Sequence, residues 1–237
     1  MRFFRSPMLL SFLAFLFFAS LAMLAGCNII EGVSYMVSGN ANPAKTQCLS
    51  GETVVVICLA NTSSYGAPTG DKEELQKKIS LGLGLQGEDI HVISDQRVES
   101  FIQSYSRDHS GPGFDLHSAS TLIDVGNKLG ATRVLVVRFE ELEVKYNSKQ
   151  ELAHGIANGE LEVLDCKTTE VSETLGVTPL YQEDFQVSWP SGGQPTWVPS
   201  QKKFEKAFYL SVTNEIFPHF CPFLPHENVA GPSAGVM

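Results

Sequence analysis

The chain has 237 residues, of which 43% are hydrophobic and 18% charged, with 17 lysines and arginines against 26 acids and a formal charge of −9. That is enough apolar material for a core, which excludes wholesale disorder and a fibrous protein. The acidic balance argues against a basic groove for nucleic acid, because phosphate binding draws mainly on lysine and arginine.

Residues 1–26 read as an address to be set aside before the fold is considered. Arg2 and Arg5 precede an apolar run from Met8 to Ala22, interrupted only by Ser11 and Ser20, and Leu24-Ala25-Gly26-Cys27 follows. The run is short for a membrane span of about 20 residues. Its ending resembles the lipobox of bacterial lipoproteins: a branched apolar residue, two small residues, then cysteine. The resemblance implies lipid attachment to the Cys27 thiol and cleavage before it. Several acyl chains hold a protein stably at a membrane where a single one is marginal. Asn28, where aspartate would mark inner-membrane retention, implies sorting to the outer membrane. The remaining 211 residues carry a charge of −11. The lipid, and not a basic patch, is therefore expected to hold the chain to the membrane.

Residues 27–50 read as a tether, with loop chemistry at Gly39-Asn40-Ala41-Asn42-Pro43. Thr53–Ala60 is continuously apolar and β-branched, as in a strand buried on both faces. The polar stretch 61–70 leads to a helix expected near Asp71, with Asp71 and Glu74 at capping-box spacing and Leu75, Ile79 and Leu83 on its buried stripe. Asp89–Ile93 predicts a short strand. A helix capped by Ser94 or Asp95 carries Val98, Phe101, Ile102 and Tyr105. A further helix spans Ser118–Leu129, with Gly130 at the position of a left-handed C-terminal cap. Thr132–Val144 and Gly155–Asp165 predict a strand hairpin, and Glu183–Ser188 a short additional strand. Ser200–Phe220 shows helical spacing of Phe204, Phe208, Val212 and Ile216. The tail 222–237 is rich in proline, glycine and small residues. The domain is thus expected over 51–221, as an α/β fold with a mixed sheet packed by helices in the order strand-helix-strand-helix-helix-strand-strand-helix.

Four cysteines follow Cys27: Cys48, Cys58, Cys166 and Cys221. In an exported chain they can pair in three ways, and burial as thiols is the alternative for Cys58 and Cys166, which lie in apolar runs. Gly82, Gly84 and Gly87 match a dinucleotide-loop spacing, but they close a helix and precede a strand, the reverse of what a phosphate needs. Asp108, His109 and Ser110 are adjacent in sequence, which is not triad geometry. His219, Cys221 and His226 offer metal-ligand chemistry without the ligand set of a fixed site. Glu141 and Glu143 share one strand face, as on a solvated surface. Tyr181, Trp189 and Trp197 either cover the sheet or form a partner patch. No cofactor is implied.

The strand Thr53–Ala60, the strand Asp89–Ile93 and above all Val125-Gly-Asn-Lys-Leu-Gly-Ala-Thr-Arg-Val-Leu-Val-Val137 resemble a group of envelope lipoproteins with an accessory α/β domain. The group includes the curli-export lipoprotein, the lipoprotein activators of penicillin-binding proteins and the N-terminal domain of the Tol-system periplasmic protein. Its helix ends in Leu-Gly-Ala and leads directly into a strand and hairpin. The N-terminus is also similar to lipoproteins of planctomycete-type bacteria. The resemblance implies a non-catalytic binding or assembly role, with an envelope protein or a second copy as partner and no catalytic residues to transfer. A self-assembling ring or pore subunit, with the 132–165 hairpin as its assembly element, is the alternative. An envelope hydrolase using His109 or His219 is the third.

Overall fold

The structure, a computed structural model, describes residues 43–60, 69–87, 89–108, 115–167 and 177–222. At its centre lies β1 (Thr53–Ala60), whose six middle residues are all buried. Its parallel neighbours are β2 (His91–Val92) and β3 (Arg133–Asn147). β3 turns into antiparallel β4 (Leu152–Asp165), which pairs with antiparallel β5 (Tyr181–Trp189) and, beyond it on the same strand, with the short β6 (Thr196–Trp197). The sheet order is β2-β1-β3-β4-β5. The mixed α/β class expected from the sequence is what the chain adopts.

Among the described residues four helices cover this sheet: α1 (Thr69–Gln86), α2 (Asp95–Asp108), α3 (Ala119–Leu129) and α4 (Gln201–Phe220). Alternation along the strands divides the core in two. Val54, Val56, Leu135, Val137, Leu161 and Val163 face Leu75 and Ile79 of α1 and Phe204, Phe208, Val212 and Ile216 of α4. On the other side Val55, Ile57, Val134 and Val136 face Val98 of α2 and Leu122, Val125 and Leu129 of α3. Each such fully buried side chain contributes about 1.5–3 kcal/mol. Among the described residues no helix is long and apolar enough to cross a membrane.

Local signals set the helix ends. The Ser118 side chain accepts from the Thr121 amide, and the Ser200 side chain accepts from the Lys203 amide. Gly130 takes φ 81°, the left-handed cap its position called for. Two expectations need correction. Gly84, expected with Gly87 to unwind and cap the helix, lies inside α1, whereas Gly87 follows its last residue and its amide donates to the Leu83 carbonyl at 2.9 Å. A Cβ on Gly82 would stand 2.0 Å from the Phe217 ring, so this glycine lets α4 approach α1 closely. Asp71 lies within the first turn of α1 rather than at its cap and is a buried tie: its Oδ1 accepts from the Tyr209 hydroxyl of α4, and burial pushes its carboxyl above the usual range. Residues 45–49 also pack on this domain. Leu49 is fully buried in the α1–α4 side of the core, and the Lys45 and Thr46 amides donate to the Pro218 and His219 carbonyls at 3.0 and 2.9 Å.

Candidate functional site

Among the described residues, helices cover the second side of the sheet over β1, the first half of β3 and the end of β4 at Leu164. Past Arg138 on β3, and across β4 and β5, that side carries an ordered array of polar side chains. Strand register places them in rows: Glu162 beside Gln182, Arg138 beside Glu160 and Asp184, Glu141 beside Asn158 and Gln186, Glu143 beside Ile156 and Ser188. Gln182, Asp184, Gln186 and Ser188 of β5 are all exposed, while Phe185 and Val187 between them are buried against the helix side. The face holds five acids and few cations. Arg138 is committed to Glu162 at 2.7 Å, and Lys145 to Glu143. Glu160 accepts from the Gln182 amide, and the Asn158 amide donates to Glu141 at 2.8 Å. Asp184 has no counter-charge among the described residues. This face can bind a cationic or hydrogen-bonding surface. It presents no nucleophile beside a base.

A second cluster lies where the entering chain meets the end of α4. His219 is 1% exposed, with its Nδ1 2.6 Å from the Tyr181 hydroxyl and its Nε2 3.2 Å from Lys45 Nζ. The Tyr181 hydroxyl donates to Glu183, and Lys45 reaches the same carboxylate at 3.1 Å. These bonds assign the neutral tautomer: Nδ1–H donates to tyrosine and Nε2 accepts from the ammonium. Burial, then Lys45, holds the imidazole pKa below its ordinary value, with Glu183 opposing. Hydrogen bonds from Tyr181 and Lys45 hold the Glu183 carboxyl below the usual range, and burial raises the Tyr181 phenol. With every polar atom of the imidazole engaged, the cluster serves as a clasp on residues 45–46 rather than as an acid–base pair.

The aromatic residues singled out from the sequence do not form one patch. Tyr181 and Trp189 stand at opposite ends of β5, eight residues or about 26 Å apart. Tyr181 packs against Phe220, and Trp189 is half-buried on Phe204 at 5.3 Å. Trp197 is 61% exposed, and its indole donates to Glu151 at 2.6 Å. The four cysteines are free thiols. Cys58 and Cys221 belong to the α1–α4 side of the core with Cys48 packed against it, whereas Cys166 belongs to the α2–α3 side. A fully paired framework would have to join Cys166 across the sheet. Burial pushes the Cys58 thiol up to about 12 and the Cys166 and Cys221 thiols up to about 11. Among the described residues no three histidine, cysteine or acidic side chains gather as a metal site. Cys27, His109, Ser110 and His226 lie outside the described residues. The Lys45–Tyr181–Glu183–His219 cluster was missed by sequence reasoning; its only local sign was a histidine in the last turn of a helix.

No family model and no curated protein matches the sequence. Similar solved structures include the lipoprotein GNA1162 from Neisseria meningitidis, 11% identical, covering 69% of this chain and 96% of that chain at a TM-score of 0.41. The LpoB C-terminal domain from Escherichia coli is 15% identical and covers 60% and 86% at 0.38. A PelC dodecamer from Paraburkholderia phytofirmans is 11% identical and covers 75% and 92% at 0.37. One of these neighbours is named as a lipoprotein; identities and scores this low transfer no function.

Proposed function

We propose that this chain is a membrane-tethered, non-catalytic accessory module of the bacterial cell envelope that binds another envelope protein. Lipid on Cys27 anchors it, residues 28–42 form the tether, and the domain from Pro43 onward stands off the membrane, at the periplasmic face of the outer membrane. The observation that carries the binding role is the half-covered sheet. Three of its strands hold a register-ordered array of charged and amide side chains on the side of the sheet that the described helices leave open. The Leu24-Ala25-Gly26-Cys27 sequence supports the anchor.

Metabolic labelling with an alkyne fatty acid, followed by fractionation, tests the anchor. Wild type should take the label and sediment with outer membrane, and Cys27→Ser should lose the label and become soluble. Label retained by Cys27→Ser would sink the assignment. Cross-linking in living cells and mass spectrometry test the binding role. A reproducible heterologous partner supports it, whereas a fixed ladder of self-cross-links would replace it with a ring.

A further inference from the structure

We infer that the outer edge of β5 accepts an extended segment of the partner protein as an added strand, in which lysine or arginine alternates with apolar residues. The inference rests on the protein-binding reading above and specifies its surface. β5 is nine residues long, pairs with β4 on one side, and pairs with no described residue on the other. Exposed edges of this length are ordinarily blunted by charges, above all lysine, by proline or by a bulge, since unpaired N–H and C=O groups template another strand; the charges on β5 are both acidic, which repels an acidic strand and admits a cationic one. β5 has no lysine and no proline between Tyr181 and Trp189, and its pairing with β4 runs without a break.

The side chains beside this edge say what should arrive. Asp184 stands directly opposite Glu160, and the row above holds Glu162. Like charges facing each other across an antiparallel pair are destabilising. The one nearby guanidinium, Arg138, is already bound to Glu162. A cationic side chain on an added strand would lie next to Asp184 on the open side of the sheet. Its neighbours, pointing the opposite way, would lie beside Glu183, already paired with Lys45, and beside Phe185 and Val187, whose apolar helix side they would extend. Period-two alternation of basic and apolar residues satisfies both. A second copy fits poorly: β5 against β5 would add Glu183 and Asp184 to themselves with no lysine or arginine in either strand.

The test uses the full-length lipoprotein in its own cells, with photo-reactive benzoylphenylalanine in place of Gln186. Control variants carry it at Lys77 on α1 or at Lys145 on the β3–β4 hairpin. The expected product is a heterologous cross-link at Gln186. It maps by mass spectrometry to a segment alternating basic and apolar residues, and its yield falls about tenfold with Asp184→Lys. Asp184→Asn should lower the yield in the same direction. The purified Asp184→Lys chain should melt no lower than wild type, because an unlike pair replaces a like one opposite Glu160. Capture at Lys77 or Lys145 but not at Gln186 overturns the edge assignment and leaves the protein-binding reading standing. A Gln186 cross-link to the chain itself, to a segment without cations, or undiminished by Asp184→Lys overturns it as well. No capture from any position removes both readings.

Discussion

Acidification is expected to loosen the fold through one buried imidazole. His219 uses both ring nitrogens when neutral, giving Nδ1–H to Tyr181 and accepting Lys45 at Nε2. A proton on Nε2 would face an ammonium 3.2 Å away and forfeit that bond, with only Glu183 to compensate. Burial and Lys45 therefore hold its folded pKa down, while in the unfolded chain it titrates at about 6.5. Below that pH the unfolded state takes up a proton that the folded state refuses. Stability is complete above about pH 6.5 and falls as pH drops toward the folded pKa. If the folded imidazole stays neutral throughout, the loss between pH 7.5 and 5.5 reaches about 1.4 kcal/mol. With a urea slope of about 2 kcal/mol/M, the midpoint drops by up to about 0.7 M. Glu52 and Glu183, whose pKa values are held down, add their own losses only at lower pH, as each carboxylate titrates below about 4.5. The raised Asp71 carboxyl acts in the opposite direction. Urea unfolding of the non-lipidated Cys27→Ser chain at the two pH values, with and without His219→Gln, isolates the imidazole. Glutamine can donate to Tyr181 and accept from Lys45 without titrating, so the pH difference should shrink by the His219 share. An acid loss as large in His219→Gln as in the parent would refute the argument.

Gly82→Ala should cost about 1–3 kcal/mol by overpacking against Phe217, despite a helix-propensity gain of about 1 kcal/mol. In a Phe217→Ala background the same change should be neutral or stabilising, and equal losses in both backgrounds would contradict the contact. Trp189→Ala should lower stability by about 2 kcal/mol, less than a fully buried tryptophan would, whereas Trp197→Ala should stay within about 0.5 kcal/mol. Thermal melts that reverse this ranking would place the wrong indole against α4. Alkylation at pH 8 should modify Cys48 first and leave Cys58, Cys166 and Cys221 protected until urea is added, because burial keeps their thiols protonated. Fewer than four reactive cysteines after Cys27, in unreduced and unfolded protein, would reveal a disulfide in the envelope.

The elements legible in the sequence are those written by neighbours along the chain. The unbroken β-branched run of β1, the Ser118 start and Gly130 cap of α3, and the Ser200 start of α4 each depend on residues within a turn or two, and each forms within a residue of where expected. Period-two alternation also announced that Glu141 and Glu143 share a solvated face. What it could not say is how far that face extends. The extent is set by where α2 and α3 stop crossing the sheet and by the register that aligns Glu160 with Asp184. The clasp on Lys45 draws on residues 138 and 174 positions away, and Gly82 shows its purpose only when Phe217 arrives from α4. The sequence by itself determined the class of fold and the local ends of α3 and α4, because propensity, capping and alternation act locally. Only the tertiary structure decided that residues 45–49 pack against the end of α4, which part of the sheet stays open and which histidine is buried neutral, because each depends on contacts between segments remote in the chain.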